Sequence, residues 1–123
     1  MKVAYFILGI LLGMLLYEVA HAEDWSKSDT ARQGVFTGLT VLDWAQTRYI
    51  SKHPENYRET NHFLGDHPTT GKVDNYFATA IVGHAVIAYL LPPAWRQGWQ
   101  YVWIGVEVQK VGHNHSIGIK LSF

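Results

Sequence analysis

Three stretches of this sequence carry residue types that can do chemistry. In the first, Asp43 and Thr47 lie one helical turn apart with Gln46 just before Thr47, so a carboxyl, an amide and a hydroxyl can share a hydrogen bond or hold one ligand. An acid half-buried there has its charged form disfavoured, which makes it a candidate general base or metal ligand. The plainer alternative is a polar knot between helices, with Asp43 accepting from Gln46, Thr47 or the backbone. The second stretch is Tyr57 to Pro68, YRETNHFLGDHP, which contains Glu59, Asn61, His62, Asp66 and His67. A helical Glu59-x-x-His62 is the way di-iron carboxylate bundles present ligands, and Glu59 or Asp66 with His62 and His67 would make a mononuclear site of ordinary zinc ligands. Di-iron bundles need a second such motif and further glutamates; only one copy is present, so no metal or other cofactor is assigned. A structural loop is the alternative, with Glu59 and Asn61 capping helix ends and Leu64 tucked into the core.

The third stretch centres on His84, which lies between Ala80 and Ala88 on one stripe of an otherwise apolar segment. Small neighbours let another helix approach closely there. Glu107 is the expected partner if the last helix packs back on this one, and Asp43 is the other candidate. An acid beside a histidine can perform general acid and base work, although no serine nucleophile elbow accompanies this pair. A satisfied core histidine is the competing reading. His113, Asn114 and His115 either close over the same site or form a turn.

The elements that must position these groups read as helices. Ser26, Ser28 and Asp29 offer capping oxygens before a proline-free run from Thr30 to Lys52, in which apolar Val35, Leu39, Leu42 and Tyr49 recur at helical spacing. Phe36, Thr40, Asp43, Thr47 and Ile50 share a neighbouring face, so Asp43 sits level with apolar side chains. Ser51 to Lys72, with Pro54, Gly65, Pro68 and Gly71, reads as a long functional loop that has room for a helical turn over Glu55 to Leu64. Asp74 and Asn75 are placed to cap a second helix, Tyr76 to Leu91, which Pro92 and Pro93 end. From Ala94 to Val111 two periods compete, Trp95, Trp99, Val102, Val106 and Lys110 stepping as a helix while Val102, Ile104, Val106 and Val108 alternate as a strand; Gly112 as a helix-ending residue favours a third helix, with a hairpin over 94–123 the alternative. Beyond that helix, Ile117, Ile119, Leu121 and Phe123 alternate as extended chain does. The fold class is therefore all-α: a small bundle of three main helices with a short extended C-terminus.

The start of the chain reads as an address. Lys2 precedes an apolar run from Val3 to Tyr17, and Ala20 and Ala22 stand three and one before a cleavage point, so residues 1–22 are expected to be a signal peptide and 23–123 a single helical domain. Export to the periplasm or inner membrane of a Gram-negative cell follows. The 123 residues carry ten basic and ten acidic side chains, and this balance leaves no electrostatic footprint for nucleic acid. Hydrophobic content of 48% excludes a disordered chain, and with no cysteine there is neither a disulfide framework nor a thiolate nucleophile. A peripheral bundle and a hairpin of the second and third helices embedded in lipid both fit the composition.

The segments LDWAQTRYI, YRETNHFLGDHP and, at Val73 to Phe77, VDNYF resemble a group of small phage and proteobacterial envelope proteins with an L-D-x-x-Q-T helix, an E-x-N-P-x-L-G-x-H-P loop and a Y-F helix. Asp43, Gln46, Thr47, Glu59, Asn61, Gly65, His67 and Pro68 match that pattern, and His62 stands where it has proline. The resemblance implies a small helical, membrane-associated or exported protein and nothing catalytic. The leading expectation is an exported, non-enzymatic envelope protein, phage- or prophage-related, whose partner is the inner membrane, another envelope protein or a second copy of itself. Its rival is a small hydrolase or metal-dependent enzyme built on Asp43, Glu59, His67 and His84. A third expectation is a membrane strand formed by the alternating C-terminal residues.

Overall fold

The computed structural model describes Ile7, residues 9–13 and residues 25–123. The expected cleavage point between Ala22 and Glu23, and most of the expected signal peptide, lie outside the described residues. The described chain is all-helical, with three substantial helices: α1 (Lys27–Lys52), α2 (Thr70–Leu90) and α3 (Pro93–Ser116). No strand forms among the described residues, which removes the membrane-strand expectation for the C-terminus.

Each boundary has a local cause. Ser26 caps α1 in a reciprocal box, its hydroxyl accepting from the Asp29 N–H at 3.0 Å while the Asp29 carboxylate accepts from the Ser26 N–H at 2.9 Å. His53 closes the helix just before Pro54. The second helix begins at Thr70, six residues earlier than the sequence suggested, because Thr69 caps it by accepting from the Lys72 N–H at 3.2 Å. Asp74 is thereby released from a capping role and accepts instead from Trp44 Nε1 at 2.8 Å and from Arg48. The third helix runs through Gly112 to Ser116 rather than stopping there; Gly118, at φ +87°, takes the left-handed position. An interior glycine costs only about 1 kcal/mol relative to alanine, and the last turn is held by Asn114, which donates to α1. Between α1 and α2 there is no helix over Glu55 to Leu64, only turns at 54–56 and 62–64. There the Asn61 side chain accepts from the Phe63 N–H at 3.0 Å and Gly65 adopts φ +80°.

Contacts along the helices set their directions. Arg96 near the start of α3 meets Asp29 near the start of α1, and Asn114 near the end of α3 meets Gln46 towards the end of α1. α1 and α3 are therefore parallel, and α2, which brings His84 to Gln33 and Asp74 to Trp44, runs antiparallel to both. Both α2 and α3 pack on α1 but touch each other far less, so α1 is the spine and its partners splay apart.

The face of α1 that turns inward is the one bearing Phe36, Thr40, Asp43, Thr47 and Ile50, whereas Val35 and Leu42 are 53% and 40% exposed. The apolar stripe read from the sequence thus points outward, because the polar side chains of α1 find partners on α3. One cluster of buried apolar side chains is formed by Leu64, Val73 and Phe77, with Trp44 and Tyr76 against them. The C-terminal tail lies back on α1: Ile119 is buried, the Ser122 N–H donates to the Ala45 carbonyl at 3.0 Å and Phe123 meets Trp44 edge-on.

One side chain ties the three helices. The buried Arg96 donates to the Ala88 and Leu91 carbonyls at the end of α2, at 2.8 and 3.0 Å, and to the Asp29 carboxylate at 3.1 Å. Burial pushes the Asp29 carboxyl up, but the Ser26 backbone and the Arg96 guanidinium more than offset it and hold it below the ordinary carboxylate value. Removing one member of a buried, hydrogen-bonded pair leaves the other charge uncompensated and typically costs about 3–5 kcal/mol. Arg32 also pairs with Asp29, so Arg96→Met leaves that acid one cation and should lower stability in urea denaturation by the lower end of that range, through the unpaired Ala88 and Leu91 carbonyls and the weakened acid.

Candidate functional site

Two polar clusters line the seam between α1 and α3, and both arise from heptad-like spacing. Arg96, Gln100, Trp103, Glu107, Lys110 and Asn114 recur at steps of four and three along α3, as Phe36, Thr40, Asp43, Thr47 and Ile50 do along α1. The seam positions that a coiled coil fills with aliphatic side chains are here largely polar.

At the loop end, Asp43 is 4% exposed and Glu107 5%. Asp43 Oδ1 accepts only long bonds, from Thr47 Oγ1 at 3.4 Å and Asn114 Nδ2 at 3.5 Å. Asn114 also donates to Gln46 Oε1 at 3.2 Å, and Gln46 Nε2 donates to the Val111 carbonyl at 3.2 Å. Burial, the charge of Glu107 and a hydrogen bond to that second carboxyl push Asp43 up to about 7; Lys110 and Thr47 pull the other way without prevailing. With both acids charged, Glu107 Oε2 is buried without a donor. A proton on Asp43, whose carboxyl is the one pushed up, supplies one by its hydrogen bond to Glu107. Lys110 approaches Glu107 Oε1 only to 3.9 Å.

The loop brings Glu59 to the same place. Its carboxylate accepts from the Thr60 and Asn61 N–H groups at 3.0 and 2.9 Å, and its own N–H donates to the Asp66 carbonyl at 2.9 Å. Burial raises the Glu59 carboxyl, with the Asp43 charge adding to it, against the stabilising backbone donors. Asp43, Thr47, Glu59, Asn61, Lys110 and Asn114 line a cavity of about 300 Å³.

His84 belongs to a different network, and its tautomer follows from a chain of fixed orientations. Arg32, which can only donate, gives its Nε–H to Gln100 Oε1 at 2.8 Å. Gln100 therefore turns its Nε2 to the Asp29 carbonyl at 3.0 Å and to Gln33 Oε1 at 3.4 Å. Gln33 then presents its own Nε2 to His84 Nδ1 at 3.0 Å. The His84 proton must sit on Nε2, which is buried and takes no partner from the protein among the described residues. Its ring stacks between Phe36, at 3.6 Å between centroids, and Trp99, at 5.3 Å. Burial lowers its pKa to about 4, so the imidazole is neutral at pH 7.

Of the residues singled out from the sequence, Asp43, Gln46, Thr47, Glu59 and Glu107 gather at one end of the seam. Asn61 contributes its backbone to Glu59 and lines the cavity. His67 and His62 are exposed in the loop, and Asp66 pairs loosely with Arg58 at 3.7 Å. His84 does not hydrogen-bond to Glu107 or Asp43; it shares with Glu107 only the lining of a second cavity, of about 260 Å³. Among the described residues, no group of three or more histidines and acids could hold a metal ion. Arg32, Gln33, Gln100 and Lys110 were not singled out, Asp29 was read only as a cap, and Asn114 only as part of a segment closing over the site or turning; the repeating polar residues on α3 were the signal that could have found Gln100, Lys110 and Asn114 as one set.

No family model, curated protein or solved structure matches the chain.

The raised Asp43 titration makes a signed expectation. From its ordinary 3.8 up to about 7, the folded protein holds a proton that the unfolded chain has released, so this contribution is full below about pH 4 and is lost as pH rises through 7. His84 acts oppositely: its contribution is full above 6.5 and is lost as pH falls through about 4. At about 1.4 kcal/mol per pH unit of displacement, Asp43→Asn should stabilise the protein at pH 8 by an amount of the order of a few kcal/mol. Urea melts at pH 5 and 8 should then show the variant gaining more stability with pH than the parent.

Proposed function

We propose that this is an exported, non-enzymatic helical bundle of the Gram-negative cell envelope that associates with the inner membrane through the outer faces of α2 and α3. One observation carries the reading: about half of the buried side chains among the described residues of the bundle are polar, while large aliphatic and aromatic ones stand outside. Its interior holds Asp29, Asp43, Gln46, His84, Arg96, Gln100 and Glu107, while Val82, Val86, Trp95, Val102 and Val108 are half or more exposed. Polar and charged side chains turned inward with aliphatic ones outward are the arrangement expected of a helical protein in contact with lipid. No helix of the described residues is long and apolar enough to cross a membrane, so the reading is of a bundle lying at the bilayer surface. The Pro92–Pro93 turn and Trp95 beside it suit the interfacial zone. The resemblance to small phage and proteobacterial envelope proteins adds a phage or prophage origin, and a second envelope protein or a second copy is the other partner in view.

The titration of Asp43 near neutrality beside a cavity favours a second reading, a small hydrolase in which the Asp43–Glu107 pair moves a proton. Such an enzyme would lose turnover on Asp43→Asn while keeping its fold.

Alkaline carbonate extraction of Gram-negative cells expressing the full chain tests the main reading. The protein should stay with the membrane pellet, and the pair Val82→Glu and Val102→Glu, both at exposed positions, should shift most of it to the supernatant. Release of the unaltered chain would overturn the proposal.

A further inference from the structure

Because α2 and α3 splay apart on α1, a groove opens between them, and it changes character along its length. Its middle is the cavity of about 260 Å³ walled by Phe36, Tyr76, Phe77, Trp99 and Trp103, with Thr40, His84, Glu107 and Lys110 as its polar lining. Towards the Pro92–Pro93 turn it continues through Ile87, Trp99 and Trp103, which line both parts, into an almost wholly apolar trough of about 780 Å³ beside Leu90, Leu91 and Gly98. Leu11 reaches the rim of that trough.

His84 makes this more than an apolar crevice. Its side chain is nine-tenths or more buried, its Nε2 carries a proton by the amide chain that starts at Arg32, and that N–H meets no acceptor among the described residues. A buried donor left unsatisfied costs free energy that a suitable oxygen would recover. The imidazole is neutral at pH 7, so the oxygen it calls for need not be anionic, and Glu107 and Lys110, an acid and a base side by side on the same lining, leave no net charge there to draw an anion.

We infer that the groove is a binding site for a neutral single-chain amphiphile, whose hydroxyl or carbonyl head oxygen accepts from His84 Nε2 between the aromatic walls while its apolar tail lies in the trough. The tail can be acyl or isoprenoid, and the head chemistry is the same for both. The site goes beyond membrane association, since it specifies one bound molecule with a defined head rather than general contact with lipid.

Two glycines give variants that spare the fold. A Cβ added at Gly83, on the wall of the head cavity, or at Gly98, on the trough, meets nothing within 4 Å. Gly83→Leu should therefore fill the head cavity and Gly98→Leu the trough. His84→Phe keeps the stack on Phe36 and Trp99 but removes the donor.

The test is native mass spectrometry of the full chain held in amphipol, titrated with monolauroylglycerol, farnesol, laurate and dodecane. One monolauroylglycerol or one farnesol should be retained per chain, and whichever binds more tightly identifies the tail class. Dodecane, which has no head oxygen, and laurate, whose head is an anion that the neutral imidazole does not compensate, should bind at least about tenfold more weakly, and each of the three variants should weaken retention by a similar factor. Equal retention by His84→Phe, equal retention of dodecane, multiple copies without saturation, or no retention of either neutral amphiphile would each overturn the inference. A parent that leaves the membrane in carbonate yet still retains one neutral amphiphile would separate this site from the membrane reading.

Discussion

The buried guanidinium of Arg96 is the interaction on which the rest of the bundle depends. It satisfies carbonyls at the end of α2, which Pro92 and Pro93 leave without helical donors, and it neutralises an acid that is itself the cap of α1. Three helix ends are thus held by one side chain. Everything downstream along the seam inherits this register, because fixing Asp29 opposite Arg96 sets Gln33 opposite Gln100 and brings Asp43 level with Glu107. Polar seam residues that find partners in only one register specify alignment in a way that interchangeable aliphatic contacts do not.

The same arrangement explains why two ends of one seam behave so differently. At the Arg96 end, each acid has cationic donors at short range, so charge is favoured and Asp29 stays ionised. At the loop end, Lys110 stands off from Glu107 and the bonds to Asp43 are long, so two acids face each other with too little compensation. One end is a closed ion pair; the other holds an exchangeable proton beside a cavity. That contrast is the physical basis for placing any chemistry at the loop end and any fixed scaffold at the other.

Much of the architecture was legible in the sequence, because capping residues, prolines and helical spacing act locally. Ser26 with Asp29, and the Pro92–Pro93 pair, marked boundaries that the structure keeps. The inward turn of Asp43 was also legible, from its position level with Phe36 and Ile50. What was not legible follows from reading apolar stripes as the buried face: Val35 and Leu42 point outward, since burial here follows polar pairing between distant helices. The early start of α2 was hidden because Asp74 looked like a cap until Arg48 and Trp44 were seen to claim it. Glu107 was the partner expected for His84, with Asp43 the other candidate, whereas its partner, Gln33, lies on α1 and could be found only by knowing the antiparallel register of α1 and α2.

A bundle whose interior is so largely polar should also melt in an unusual way. The heat-capacity increase on unfolding comes from exposing apolar surface and is reduced by exposing polar surface. With polar side chains making up about half of the buried set among the described residues, this chain should have a small increment for its length, and hence a stability curve that is flat with temperature. Such a molecule would hold its shape nearly as well in the cold as at growth temperature, and the conditions that loosen it would be those that alter protonation rather than warmth.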